Sequence, residues 1–222
     1  MTNTPPMILT NDAIIKAALS WLSRKNSPNR RLILGIAGIA GSGKSTLAQR
    51  FVDALNEAAP ASAVMIPMDG FHLPNSDLEA RGWKLRKGAH FTYNADAYVE
   101  LLNHYRSRSA IGSYPIYCRK VHEPVTSPEA VTQSTQVIVT EGQYLLRPDK
   151  PWVALADVLD ECWWLDVTIE KARRWLMKRD TSVGRSAEEA KAKYLRNDQL
   201  NTHYVLAERR NSDRIVSWPE PT

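Results

Sequence analysis

Residues Gly38-Ile-Ala-Gly41-Ser42-Gly43-Lys44-Ser45 follow directly on the apolar run Leu32-Ile33-Leu34-Gly35-Ile36-Ala37 and lead into a stretch of helical pattern, Ser45 to Asn56. Strand, glycine-rich turn and helix in that order make a phosphate-binding loop, and the order matters as much as the letters. Glycines let successive backbone N–H groups turn inward, while the helix that follows points its positive dipole end at bound oxyanions. The chemistry assigns Lys44 to the β- and γ-oxygens of a nucleoside triphosphate and Ser45 to Mg²⁺. Gly38, Gly41, Ser42, Gly43 and Thr46 complete the nucleotide-binding set, and ATP with Mg²⁺ is the expected pair of cofactors.

A chain of 222 residues is long enough for one sizeable α/β core and too short for a comfortable second one. The whole chain, 1–222, is therefore expected to be a single domain. Its 29 basic and 24 acidic side chains leave a net charge of +5, which suits anionic small substrates; no basic stripe interleaved with aromatics suggests a nucleic-acid partner. Cys118 and Cys162 lie far apart and in no metal-ligand spacing, so they read as reduced thiols. The first residues lack a basic-then-apolar leader pattern, and no apolar run approaches the ~18 residues of a membrane span. A cytoplasmic protein without membrane contact is expected, with a homodimer left open.

The pattern along the chain alternates strands and helices. A helix capped by Asn11 or Asp12 is predicted through Arg24, with Ile14, Ile15, Ala18, Leu19 and Leu22 as its apolar stripe. A second strand is predicted at Ala63 to Met68, a long loop with one short helix at 70–94, a helix from Ala95 to Tyr105 and a short strand from Tyr114 to Cys118. A Pro- and Ser/Thr-rich loop should run on to Gln136. Strands follow at Val137 to Thr140, Cys162 to Val167 and Arg214 to Ser217. Helices at Glu170 to Lys178 and Ala187 to Arg209 flank a polar break, Asp180 to Arg185. The adjacent Trp163 and Trp164 should point to opposite faces of the sheet. The fold class implied is α/β: a three-layer P-loop NTPase fold, with a mostly parallel sheet, helices on both faces, and a small arginine-bearing lid at 179–186.

In such a sheet ligands gather at the carboxyl ends of the strands. Asp69 follows one strand, Glu141 ends another, and Arg179 and Arg185 fall in a late segment. Phosphoryl transfer to a hydroxyl needs a carboxylate to take the acceptor proton and cations to hold the phosphate oxygens. Asp69 is the predicted base, Glu141 supports Mg²⁺ or the acceptor, and Lys44, Arg179 and Arg185 neutralise charge. Arg173 ranks below them, since it and Arg179 can both face the phosphates only if the helix end bends or the loop folds back. On the acceptor side His72, Tyr93 and Tyr117 are candidate lining residues. Asn197 and Asn201, at i and i+4, could offer two amides on one face, and Trp83 could cover a ligand.

Met68-Asp69-Gly70-Phe71-His72-Leu73-Pro74-Asn75, followed by Leu78, Arg81-Gly82 and Arg86-Lys87-Gly88, resembles the acceptor-site segment of bacterial pantothenate kinases. Pro115-Ile-Tyr117, Val137-Ile-Val-Thr-Glu141-Gly142-Gln-Tyr-Leu145, Arg179-Asp180 and Gly184-Arg185 extend the resemblance from about Arg31 to Asn201. The chain is thereby similar to P-loop small-molecule kinases of the phosphoribulokinase, uridine kinase and pantothenate kinase superfamily. Within it, the small nucleoside/nucleotide kinase-like members, described as fructose-transport-associated, are the best match. The resemblance implies an ATP-dependent kinase of a small-molecule hydroxyl, with Asp69 in the catalytic position, Arg86 among the acceptor-site residues and the 179–186 segment as lid. Where pantothenate kinases carry Tyr-Ser-His, this chain has Tyr117-Cys118-Arg119. That guanidinium, with Lys120 and His122 beside it, points to an acceptor bearing carboxylate or phosphate.

The alternative class is a nucleotide-dependent regulatory ATPase without acceptor turnover. It would keep the P-loop but have no use for the Asp69-to-Gly88 segment. No Asn-Lys-x-Asp guanine-reading motif and no Leu-Ser-Gly-Gly-Gln-like signature occurs in the chain, which argues against a GTPase switch and an ABC-type ATPase.

Overall fold

The computed structural model describes residues 6–24 and 28–219. In chain order they form β1 (Met7–Ile8), α1 (Asn11–Leu22), β2 (Leu32–Ala37), α2 (Lys44–Ala58), β3 (Ala63–Pro67), α3 (Asn75–Ala80) and α4 (Ala95–Tyr105). There follow β4 (Gly112–Cys118), β5 (Glu123–Val131), β6 (Val137–Gly142), α5 (Leu155–Val158), β7 (Glu161–Leu165), α6 (Ile169–Ser182), α7 (Ala187–Lys193), α8 (Gln199–Ala207) and β8 (Arg214–Ser217). Six strands join in one sheet of order β1-β8-β7-β2-β6-β3, every pair of it parallel. β4 and β5 form a separate antiparallel hairpin.

Side chains of the central strands alternate between two apolar cores, as the period of two demands. Leu34 and Ile36 of β2 face α1 and α2, while Ile33 and Ala37 face the opposite core with α4 and Trp152. Trp163 and Trp164 divide in the same way, as expected. Trp163 meets Phe51 of α2 edge-on at 5.5 Å, and Trp164 belongs to the other core. The three-layer reading of the sequence is the architecture found.

Several local expectations need correction. Thr10, not Asn11 or Asp12, caps α1, its Oγ1 accepting from the Ala13 N–H. The buried stripe of that helix is Ile14, Ala18 and Trp21, whereas Ile15 and Leu19 stand 44% and 48% exposed. The large indole decides the rotation, because it packs edge-on against Phe51. The segment after β4 is a strand, β5, where a loop was expected. Pro124 and Pro128 disguise it, yet a two-stranded ribbon has open edges that tolerate residues without an N–H. The helix expected to end at Lys178 continues to Ser182, so Arg179 and Asp180 are helical and only residues 183–186 break the chain. The last long helix is interrupted by a π turn at Tyr194–Asp198 and ends at Ala207.

Two features fix the hairpin and the sheet around the future site. A Cβ at Gly70, in the tight turn Met68–Phe71 after β3, would lie 2.2 Å from the Pro115 carbonyl oxygen; only glycine lets β4 approach so closely. Arg31, fully buried, donates to the carbonyls of Thr135, Tyr105, Ser107, Arg108 and Thr132, tying the end of α4 to the turn before β6. Among the described residues no helix is long and apolar enough to cross a membrane.

Candidate active site

All six strands run in one direction, so the segments that leave their carboxyl ends meet along one edge. The P-loop leaves β2 at the centre, Glu141 lies at the end of β6 beside it, and Asp69 follows β3 one strand further out. They line one cleft of about 1690 Å³. Pockets that take a single small ligand measure ~300–1,000 Å³, so the cleft has room for a nucleotide and a second reactant.

At the P-loop, α2 begins on Gly43, whose φ of 92° is left-handed, and no side chain caps the helix. The first-turn N–H groups are thus left for an oxyanion. Lys44 is 8% exposed and its Nζ donates to the Ile39 carbonyl at 2.9 Å; an ammonium has further donors to give. Burial lowers the Lys44 pKa, and the nearby carboxylates of Glu141 and Asp69 oppose that shift. Burial likewise raises that of Glu141, against the pull of Lys44 and of the Ser45 hydroxyl, which donates to Glu141 Oε1 at 2.9 Å. A hydroxyl and a carboxylate in contact next to a buried ammonium form a donor set suited to Mg²⁺ and phosphate oxygens. The residues present fit MgATP.

The acceptor side is built around Asp69. The Tyr93 hydroxyl donates to its Oδ1 at 3.2 Å, and burial with the adjacent carboxylate pushes the Tyr93 pKa far up, so the phenol stays a donor. His72 Nδ1 lies 2.7 Å from the Asp69 carbonyl oxygen. A carbonyl only accepts, so Nδ1 carries the hydrogen and Nε2 is left as an acceptor. Burial holds His72 below its ordinary pKa. Its ring is flanked by Tyr93 and Tyr117, with centroids 4.1 and 4.7 Å away, and Lys87 Nζ stands 5.2 Å over the Tyr117 ring. Arg119, at the hairpin tip, lines the cleft.

The lid cations converge on a buried carboxylate. Asp180 is 4% exposed; Lys193 Nζ donates to it at 2.8 Å and Arg185 Nη1 at 3.4 Å. Arg179 Nε lies 3.9 Å from the same group, and all three cations border the cleft.

Other sequence-predicted residues are placed elsewhere. Arg86 does not line the cleft: its Nε donates to Oδ1 of Asn197, a cleft residue, at 3.3 Å and its guanidinium lies over Phe91; its neighbour Lys87 lines the cleft instead. Asn201 lies outside the lining, its Nδ2 donating to the Gly88 carbonyl, whereas Asn197 does border the cleft, with its Nδ2 holding the Lys87 carbonyl. The two amides share a face, but the protein's own main chain occupies them. Gly38 and Ser42 belong to the P-loop but do not line the cleft; a Cβ on Gly38 would lie 2.9 Å from the Ser42 hydroxyl oxygen. Trp83 packs on Phe91, and Arg173 reaches over Tyr194. Conversely, Gln143, Arg196, Arg50 and Trp218 line the cleft without having been expected there. Gln143 stands two residues after Glu141, so its place could have been read from the strand end; nothing in the sequence announces Trp218.

The sequence profile of the Phosphoribulokinase / Uridine kinase family matches residues 33–219. The protein YggC of Escherichia coli K12, described as uncharacterized, is 31% identical over 196 residues, 87% of this chain and 81% of that one. A pantothenate kinase of Streptomyces coelicolor is 28% identical over 196 residues, covering 84% of this chain and 59% of the longer enzyme. Among solved structures, a protein from Silicibacter sp. TM1040, provisionally described as a fructose transport system kinase, superposes with a TM-score of 0.83 at 30% identity, over 95% of this chain and 100% of that one. With the P-loop, the acidic strand ends and the lid in one cleft, and the profile spanning nearly the whole chain, the protein belongs to the Phosphoribulokinase / Uridine kinase family.

Proposed function

We propose that this chain is an ATP-dependent kinase that transfers the γ-phosphoryl group to a hydroxyl of a small anionic molecule. The observation that carries the reading is Asp69: a carboxylate oriented by Tyr93, at the edge of the cleft that also holds the buried Lys44 and the Ser45–Glu141 pair. In the reaction the acceptor hydroxyl gives its proton to Asp69 as its oxygen bonds to the γ-phosphorus, and the bond to the β–γ bridging oxygen breaks to release ADP. Lys44 and the lid arginines neutralise the charge on the transferring group. Mg²⁺, held by Ser45 and Glu141, would shield the phosphate oxygens. Closure of the arginine-bearing segment would exclude water and suppress idle hydrolysis.

The anionic character of the acceptor is supported by Arg119, which makes no ion pair or hydrogen bond among the described residues and lines the cleft close enough for its charge to act on His72 and Tyr117. A guanidinium in that position favours a carboxylate or phosphate.

The test is ADP release from MgATP across a panel of nucleosides, pantothenate, sugars, sugar phosphates and hydroxy acids. An acceptor-dependent rate that Asp69→Asn lowers about 10²–10⁴-fold supports the reading. Slow hydrolysis that no acceptor stimulates would favour the regulatory ATPase. Arg119→Ala should raise the KM of an anionic acceptor about tenfold, the scale of one charge-assisted contact, and an unchanged KM would remove the anionic assignment.

A further inference from the structure

The buried stripe of α6 is Ala172, Leu176 and Asp180, at i, i+4 and i+8. Its first two members pack on the P-loop: a Cβ on Gly41 would lie 2.5 Å from Leu176 Cγ and 2.6 Å from the Ala172 carbonyl oxygen. One turn further, about 6 Å along the helix, the stripe places a carboxylate where the pattern calls for an apolar side chain. Taking a carboxylate out of water is costly, and hydrophobic residues in place of a buried ion cluster are often no less stable. Stability is therefore a weak reason for Asp180, and its contacts point to another.

Asp180 ties together segments that are separate in the chain. Its Oδ2 accepts from Lys193 Nζ of α7 and its Oδ1 from Arg185 Nη1 beyond the helix break, while Arg179 Nε stands 3.9 Å from Oδ1. The Asp180 carbonyl also accepts the Arg185 N–H at 3.2 Å, so one residue fixes both the main chain and the side chain of Arg185. Lys193 is shared with Asp198, whose Oδ2 is 3.7 Å away. Three cations against two carboxylates leave the cluster net positive, and a guanidinium with five N–H donors keeps most of them for another ligand. Asp180 is buried, whereas the side chains of Arg179 and Arg185 stay 41% and 35% exposed and border the cleft.

From this juxtaposition, and resting on the kinase reading of the cleft, we propose that Asp180 is the positioning residue of the lid. Its buried carboxylate holds Arg185 and Arg179 in place, so that their free donors meet the γ-phosphate without first losing side-chain freedom. Asp180 touches no reacting atom and acts only through the arginines. It is a brace for them and not a rival of the phosphate.

Calorimetric titration of the full chain with MgATP and with MgADP reads the γ-phosphate contact without any acceptor. The wild type should bind MgATP at least about tenfold more tightly than MgADP, the scale of one charge-assisted hydrogen bond. Arg185→Ala should lose most of that preference. Asp180→Asn, which keeps the shape and removes the charge, should also lose most of it, with MgADP binding within about twofold of wild type. Asp180→Leu, which completes the apolar stripe, should behave in the same way and guards against a folding defect in the asparagine variant. Added to Arg185→Ala, Asp180→Asn should weaken MgATP by less than about threefold more, because residues that act through one another are not additive. Equal weakening of both nucleotides, or losses that multiply in the double variant, would mean that Asp180 only joins the helices. Tighter MgATP binding in Asp180→Asn would make the carboxylate a competitor for the lid cations. Any of these results, or a wild type that holds the two nucleotides equally, overturns the proposal. The kinase reading is judged separately, by whether an acceptor stimulates ADP release.

Discussion

Asp69 is held from two directions, by the Tyr93 hydroxyl on its carboxylate and by His72 Nδ1–H on its carbonyl. Tyr93→Phe removes one donor and leaves the ring packing, so kcat should fall about 10- to 100-fold with MgATP affinity unchanged, the cost of one hydrogen bond to a charged group. Steady-state kinetics on the acceptor identified by the panel would show it. His72 also carries a pH signature. Burial depresses its pKa in the folded state, so as pH falls through about 6.5 the unfolded chain binds a proton that the folded one resists. Stability is therefore present above that value and lost below it. His90 is depressed by burial too and adds the same sign. Urea midpoints should drop between about pH 7.5 and 5.5, and less steeply in His72→Gln; equal slopes in the two proteins would contradict a buried neutral imidazole. Arg31 is the largest purely structural commitment of a polar group. Arg31→Leu strands carbonyls that had five donor contacts, and a loss of roughly 2–4 kcal/mol is expected, measurable by denaturant unfolding.

Among the elements, those with a strong pattern were legible from residues alone. The P-loop with its strand and helix, the α4 span Ala95–Tyr105 and the strand β8 at Arg214–Ser217 fall where the sequence puts them. β5 was hidden because its prolines are punctuation in a central strand and permissible in a ribbon. The extension of α6 through Arg179 and Asp180 was hidden because a polar run at a helix end looks like a loop until Asp180 is seen buried among Lys193 and Arg185. Candidate site residues divide on the same ground. Lys44, Ser45, Glu141 and Asp69 are fixed by strand ends. Arg86 and Asn201 failed as lining residues because tertiary contacts, invisible in one sequence, aim them at Asn197 and Gly88. The hairpin tip is fastened to α3: Glu123 Oε1 accepts from the Asn75 N–H at 2.9 Å, and Lys87 Nζ donates to the His122 carbonyl. Glu123→Ala removes this cap, worth about 1 kcal/mol. It should raise the acceptor KM several-fold and leave MgATP affinity alone. An effect on MgATP instead would show that the hairpin does not belong to the acceptor side.

For the whole molecule, a single parallel sheet with its active segments on one edge sorts two substrates by strand order. In the proposed reaction the acceptor lies toward β3 and the hairpin, the donor extends from the P-loop toward β7 and β8, and the P-loop stands between them. The C-terminal helical segment from Arg179 to Asn197 spans both sides, since Asn197 grips the Lys87 carbonyl while Arg179, Arg185 and Lys193 border the same cleft. Ligand binding to the folded state alone should then stabilise the entire domain, by about 2.7 kcal/mol at a hundredfold excess of MgATP over its Kd. The most direct test of the account is a paired measurement on Asp69→Asn: MgATP affinity by calorimetry and single-turnover phosphoryl transfer to the acceptor. The account predicts MgATP binding within about twofold of wild type and transfer slowed at least about 10²-fold. Transfer at the wild-type rate would contradict the assignment of Asp69 as the base that receives the acceptor proton.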